Sequence, residues 1–236
     1  MKRLQSKTAR LIAETFERLD YGKLGAIYCD EGGEAFWKDR REPCRTLGIA
    51  LAEVLLNRLK PGGRSLYVGA GVAEIPALFM ESLDLGRHVE AHNLRVGEVA
   101  AMNQACKGLP LRISATDART ARGSYDHLWI VSVLNDPELY PCVSALSYGR
   151  ANPVTFDPAA FLEERTHIMA VAETCLNKLA LPALVSTSVE EIPWITEWCD
   201  RKRIAYVVED DDYPTAIVED PVCLIRVGDK EYKNKY

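Results

Sequence analysis

At 236 residues, 47% of them hydrophobic and 27% charged, the chain is long enough for one well-buried core and too short for two comfortable domains. Its net charge of -5 gives no overall attraction to phosphate backbones or anionic lipid, so nucleic acid is not the expected partner. No apolar run approaches the roughly 18 residues a membrane span needs and the N-terminus has no signal-like apolar stretch, so a cytoplasmic protein without membrane contact is expected.

The first ten residues are locally basic through Lys2, Arg3, Lys7 and Arg10 and read as a solvated helix face. Leu4, Leu11, Ile12, Phe16 and Leu19 follow near helical spacing, then a glycine-rich loop is expected from Tyr21 to Gly33. A second helix is predicted from about Pro43 to Leu59, stopped by Pro61-Gly62-Gly63. Beyond residue 60 strands and helices alternate, the pattern of a parallel sheet covered on both faces. The predicted elements are a strand over Ser65 to Val68, a helix over Glu74 to Leu85, a strand over Val89 to His92, and a helix from Val96 closed by Lys107-Gly108. A third strand, Leu111 to Ala115, ends at Thr116-Asp117-Ala118, and a fourth, His127 to Val133, reads as a buried central strand.

The segment from Asn135 to Pro158 has four prolines and no clean period, which predicts an insertion or lid. A long helix follows, with Asp157 as N-cap and Pro158 in its first position. Then come a strand over Ala183 to Thr187, a helix with Glu190 and Glu191 at its start and Arg201, Lys202 and Arg203 at its end, and strands over Ile204 to Val208 and Val222 to Val227. These last two are joined by an acidic stretch from Glu209 to Asp220, and a polar tail closes the chain. The seven cysteines are odd in number and form no C-x-x-C pair, so reduced thiols filling core space are expected, with no metal site.

The stretch Ser65-Leu-Tyr-Val-Gly-Ala-Gly-Val-Ala73 carries the most functional information. A strand turns over Gly69 and Gly71 into a helix, as a nucleotide-binding edge does, because glycine lets a ligand approach the main chain. A dinucleotide fingerprint would place a third glycine where this chain has Glu74, and a carboxylate there repels pyrophosphate. A ligand with a cationic centre and no phosphate, such as S-adenosylmethionine, tolerates it. Glu74 can equally be a first-turn acid complementing the helix dipole.

Together the glycine turn, Asp117 after strand three, the strand-four stretch Tyr125-Asp-His-Leu-Trp-Ile130 and the two closing strands resemble the class I S-adenosylmethionine-dependent methyltransferases over about residues 43 to 228. The resemblance implies an α/β, Rossmann-like seven-stranded sheet with helices on both faces, its last strand antiparallel beside strand five, and an N-terminal helical extension. The expected organisation is residues 1–60 as that extension packing on the core, 61–228 as the methyltransferase domain and 229–236 as the tail. It also implies a cofactor, S-adenosylmethionine, held by Gly69, Ala70 and Gly71, with Asn93, or Glu90 under a shorter strand register, at the ribose. Leu94 and Ala118 would meet the adenine faces, Asp117 its amino group, and Ser132 would lie where the family lines the methyl group. The chain departs from the family at Tyr67 and Asn93, where acids are usual.

No catalytic residue stands out. Asn135-Asp136-Pro137-Glu138 lacks the N-methyltransferase signature, and Asp136 and Glu138 read as caps as readily as bases. His127 and His167 read as packing residues, whereas His92 lies near the cofactor edge. Tyr21, Tyr28, Phe36 and Trp37, with Tyr140, Tyr148 and Phe156, could close over an acceptor, so a small-molecule substrate is expected. The alternatives are a non-catalytic methyltransferase-like partner subunit and an NAD(P)-dependent oxidoreductase. Oligomeric state is not legible.

Overall fold

The computed structural model describes residues 2–28, 33–217 and 220–229. The described residues divide into two compact units, those within 1–121 and 213–219, and those within 122–212 and 220–236. The strands make one seven-stranded mixed sheet, ordered β3-β2-β1 in the first unit and β4-β5-β7-β6 from the second.

The first unit opens with α1 (Ser6–Arg18), which buries Thr8, Ile12, Thr15 and Phe16 on one helical stripe. No side chain of its own caps α1; Asp84 does so instead, accepting from the Gln5 amide at 2.9 Å and from the Thr8 hydroxyl. Next come α2 (Tyr21–Tyr28), α3 (Gly33–Lys38) and α4 (Arg41–Arg58). The glycine-rich loop expected from Tyr21 to Gly33 is thus largely helix. Glycine weakens a lone helix, but here Gly25 allows a close approach: a Cβ on it would overlap the Gly33 main chain. Leu24 is fully buried, and Tyr28, Phe36 and Trp37 pack with ring centroids 5.4–5.6 Å apart.

Strand β1 (Arg64–Val68) pairs in parallel with β2 (His88–His92), and β2 with the two-residue β3 (Ile113–Ser114). Between β1 and β2 a 3₁₀ turn, Val72–Glu74, leads into α5 (Ile75–Phe79), which widens into a π turn, Met80–Asp84. The Leu85 amide there reaches back to the Met80 carbonyl at 3.2 Å. The turn contains Glu81, whose fully buried carboxylate accepts from the Ser65 and Tyr67 hydroxyls and from Arg87. Tyr67, where an acid was noted as usual, therefore belongs to this interior network. Helix α6 (Val96–Ala105) follows β2.

In the second unit β4 (Tyr125–Ile130) and β5 (Leu179–Ser188) are parallel, with Ile130 opposite Thr187. Strand β7 (Val222–Val227) lies antiparallel to β5, with Ser188 opposite Val222, as the resemblance implied. Helices α8 (Pro158–Leu176) and α9 (Ile192–Lys202) pack together, and β6 (Tyr206–Tyr213) completes the unit. Asp157 caps α8 as expected, accepting from the Ala159 and Ala160 amides at 2.9 and 3.2 Å.

Several elements differ from expectation: β3 keeps only Ile113–Ser114, β5 starts at Leu179 rather than Ala183, and β6 runs from Tyr206 to Tyr213 rather than from Ile204 to Val208. Strand β4 starts two residues early and ends at Ile130, because Ser132 turns into the left-handed region at φ 54°. The insertion contains a helix, α7 (Pro141–Ser147), started by Pro141 in its first position and concealed by its short length. Seven residues of the expected tail and Cys29 lie outside the described residues. No helix among the described residues is long and apolar enough to cross a membrane.

Candidate functional site

Strand β1 ends at Val68 and the chain reverses over Gly69, whose φ of 73° suits glycine. The turn is fastened to the end of β2. The Ala70 amide donates to the His92 carbonyl at 2.9 Å, and the Asn93 Nδ2 donates to the Ala70 carbonyl at 2.9 Å. The Gly71 amide donates to the Glu74 carboxylate at 2.7 Å, so the acid read as a dipole-complementing residue turns back onto the turn itself.

A further carboxylate, from Glu98 of α6, reaches the same place. It is 1% exposed and accepts from Asn93 Nδ2 at 3.0 Å, from the Tyr28 hydroxyl of α2 and from the Val72 amide. A Cβ on Gly71 would lie 2.7 Å from Glu98 Oε1, 3.2 Å from the Tyr28 hydroxyl and 3.4 Å from Glu74 Oε2. Glycine is needed here because carboxylates crowd its open face. Burial pushes the Glu98 carboxyl above its ordinary value and, with the neighbouring Glu98 charge, the Tyr28 phenol well above its own. Neither residue was singled out for this site from sequence. Glu98 could have been, since it stands one residue before Val99 and four before Met102, on the inward stripe of α6. Tyr28 carried no such signal.

The predicted cofactor residues of the first unit collect around this turn and the ends of β2 and β3. Asn93 is 7% exposed with its amide engaged inside the protein: Nδ2 with Ala70 and Glu98, Oδ1 with the Arg95 amide at 2.7 Å. Glu90 lies nearer the surface, 3.9 Å from the Arg64 guanidinium and 3.3 Å from His92 Nε2. Leu94 is 61% exposed, an apolar side chain held in solvent beside the turn's anchor. Asp117 accepts from the Arg119 amide at 2.8 Å and from its guanidinium at 2.6 and 2.8 Å, and that pairing holds its carboxyl below the ordinary range. Ala118 is buried beside it.

Ser132 belongs to the second unit, on the loop after β4. The Ser132, Val133 and Leu134 amides all donate to the fully buried Glu191 carboxylate, which fixes this loop. The Ser132 hydroxyl donates to Asp220 Oδ2 at 3.1 Å, and the Tyr148 hydroxyl donates to the same oxygen. Tyr140 is buried, with its ring edge-on to His167 at 5.7 Å. His127 is fully buried with Nε2 3.0 Å from Ser186 Oγ, a packing position. Asp136 caps its own turn, accepting from the Glu138 and Leu139 amides at 2.8 and 3.2 Å. Among the described residues no group of three His, Cys, Asp or Glu could hold a metal ion.

No protein-family model and no curated protein matches the chain. Solved structures do. Magnesium protoporphyrin IX methyltransferase (ChlM) from Synechocystis PCC 6803, solved with bound S-adenosylmethionine, is 13% identical. The match covers 95% of this chain and 99% of that one, with a TM-score of 0.53. The 16S rRNA methylase RmtB is 13% identical over 95% of this chain and 76% of its own, with a TM-score of 0.45. Trm5b from Pyrococcus abyssi is 10% identical over 78% of this chain, which spans only 49% of its length, with a TM-score of 0.47.

The expectation of a small-molecule substrate with nucleic acid set aside does not stand. It rested on the net charge, a property of the whole chain that does not describe any local surface, and on aromatic residues of which Tyr28, Phe36 and Trp37 pack on one another. The strand order, the antiparallel β7 and the full-length match to ChlM agree: this chain has the fold of the class I S-adenosylmethionine-dependent methyltransferases.

Proposed function

We propose that the chain binds S-adenosylmethionine along the Gly69-Ala70-Gly71 turn and transfers its methyl group. The observation that carries this reading is the charge at the turn. Two carboxylates, Glu74 and Glu98, face the open side of Gly71, a setting that repels the pyrophosphate of a dinucleotide and suits a ligand with cationic groups. When bound, the sulfonium supplies an activated methyl group for in-line displacement, and the protein's tasks are to position the acceptor and exclude water.

Within the first unit the geometry supports a role for each candidate residue. Leu94 offers an apolar face to the adenine ring, with Ala118 beside the adenine edge. Asp117 keeps lone pairs for the adenine amino group although Arg119 shares its carboxylate. Asn93 acts by holding the turn and Glu98 in place, which leaves Glu90 as the carboxylate available to the ribose.

Calorimetry with S-adenosylmethionine, S-adenosylhomocysteine and NAD tests the binding. The two sulfur ligands should bind and NAD should not, and binding of NAD alone would overturn the reading. Transfer is read as release of S-adenosylhomocysteine when an RNA fraction and a small-molecule fraction are supplied separately. Asp117→Ala should weaken cofactor binding by about 1–3 kcal/mol, the usual value of a hydrogen bond to a charged group.

A further inference from the structure

Glu98 is an unusual residue to find beside a glycine turn. Its carboxylate is 1% exposed, yet the groups that hydrogen-bond it, the Tyr28 hydroxyl, the Asn93 amide and the Val72 N–H, are all neutral. Among the described residues it makes no ion pair; Arg95 acts on it only at longer range, with its guanidinium 5.7 Å from the centre of the Tyr28 ring. Burying a carboxylate on neutral donors alone is costly, and a cation in contact with it would relieve that cost.

The position is also one a ligand must use. Oxygen Oε1 sits 2.7 Å from where a Gly71 side chain would begin, on the face of the turn that glycine leaves open. The Tyr28 phenol bonds that same oxygen and lies 3.2 Å from the same point. Tyr28 comes from α2 and bonds Oε1 whereas Asn93 bonds Oε2, so losing the phenol's bond leaves the Asn93 bond in place.

We propose that Glu98 is the counter-ion for the ammonium group of the ligand's amino-acid arm, and that Tyr28 holds its place when no ligand is bound. This rests on the glycine turn being the S-adenosylmethionine site. It adds a residue that discriminates among adenosine ligands: those with a cationic arm gain from Glu98 and those without it do not. The ammonium would donate to Oε1 in place of the phenol, while Asn93 keeps Oε2 oriented.

The test compares S-adenosylhomocysteine, which has the ammonium, with 5′-methylthioadenosine, which keeps the adenosine and thioether but lacks the amino-acid arm. Calorimetry is run on the full chain and on its Glu98→Gln and Tyr28→Phe variants. Glu98→Gln should weaken S-adenosylhomocysteine about tenfold or more and leave methylthioadenosine within roughly twofold. Tyr28→Phe should leave S-adenosylhomocysteine as tight or tighter, since Glu98 no longer gives up a bond to receive it. Retained methylthioadenosine binding also shows that a variant is folded. Should Glu98→Gln not fold, Glu98→Asp makes the same comparison by shortening the carboxylate's reach. If Glu98→Gln weakens both ligands equally, or neither, Glu98 only supports the turn and the proposal is overturned while the cofactor site stands. If the unaltered chain binds neither ligand, the cofactor reading fails and the role of Glu98 falls with it.

Discussion

Arg87 is 4% exposed, and its guanidinium meets the Glu81 carboxylate at 2.9 Å with neither side chain reaching solvent. The same guanidinium donates to the Ser65 hydroxyl and to the carbonyls of Lys60, Gly62 and Arg64, so it ties the start of β1 to the π turn. Such a pair contributes little net stability over an apolar pair, but removing one member leaves the other charge buried. Arg87→Ala should therefore cost about 3–5 kcal/mol, read as a lower urea midpoint at unchanged slope. Glu98 yields a pH prediction. Its folded pKa lies above the ordinary 4.5, so the fold favours the protonated form and the group's stabilising contribution is lost as pH rises through the raised value. A cationic ligand favours the ionised form. Affinity for S-adenosylhomocysteine should thus rise with pH above the ordinary carboxylate range, with proton release, while methylthioadenosine affinity stays flat. The groups around Glu98 are Tyr28, Cys44, Asn93, Glu74 and Arg95. A slope that persists in Glu98→Gln would assign the titration to another of them. At this scale the sequence showed the glycines and Asp117, and named Tyr28 only among the aromatics that could close over an acceptor, because its contact with Glu98 spans 70 residues and leaves no local trace.

Among the elements, the strands were legible and the short helices were not. β1, β2 and β7 lie close to where apolar runs place them: β1 and β2 pair in parallel, and β7, antiparallel to β5, buries Val222, Cys223, Leu224, Ile225 and Val227. β3 shrinks to Ile113–Ser114, with the Asn103 side chain bonding the Ile113 amide and carbonyl at 2.9 and 2.8 Å. α2 escaped notice because its Gly25 serves a close approach to Gly33, and helix propensity is a weak prior against such packing. The end of α9 was readable from its basic residues, but not its geometry. Arg203 closes the helix at φ 55°, in the left-handed region, and its amide donates to the Asp200 carbonyl at 3.1 Å. A glycine adopts that conformation without the steric cost, roughly 1 kcal/mol, borne by other residues. Arg203→Gly should therefore raise stability by up to about 1 kcal/mol, or about 2–4 °C in melting temperature for a chain of this size. A lowered melting temperature would mean that the Arg203 side chain contributes more than its backbone strain costs.

For the whole molecule, element order anticipated a sheet covered on both faces, and the family resemblance anticipated seven strands with an antiparallel one beside β5. It did not suffice for the acceptor, because fold and net charge are global properties and acceptor choice depends on local surface. The cofactor has a global readout. A ligand that binds only the native state adds about 2.7 kcal/mol at 100 times its dissociation constant, which for a chain of this length is a rise of about 5–10 °C in melting temperature. S-adenosylhomocysteine should produce that rise and NAD should not. The candidate residues Gly69, Ala70, Gly71, Leu94, Asp117 and Ala118 all lie in the first compact unit. Ligand-induced protection from amide exchange should therefore be at least as large in β1 and α6 as in β5 and β7. Protection confined to β5 and β7, with β1 and α6 unchanged, would move the cofactor site out of the first unit and remove the basis for assigning the glycine turn to it.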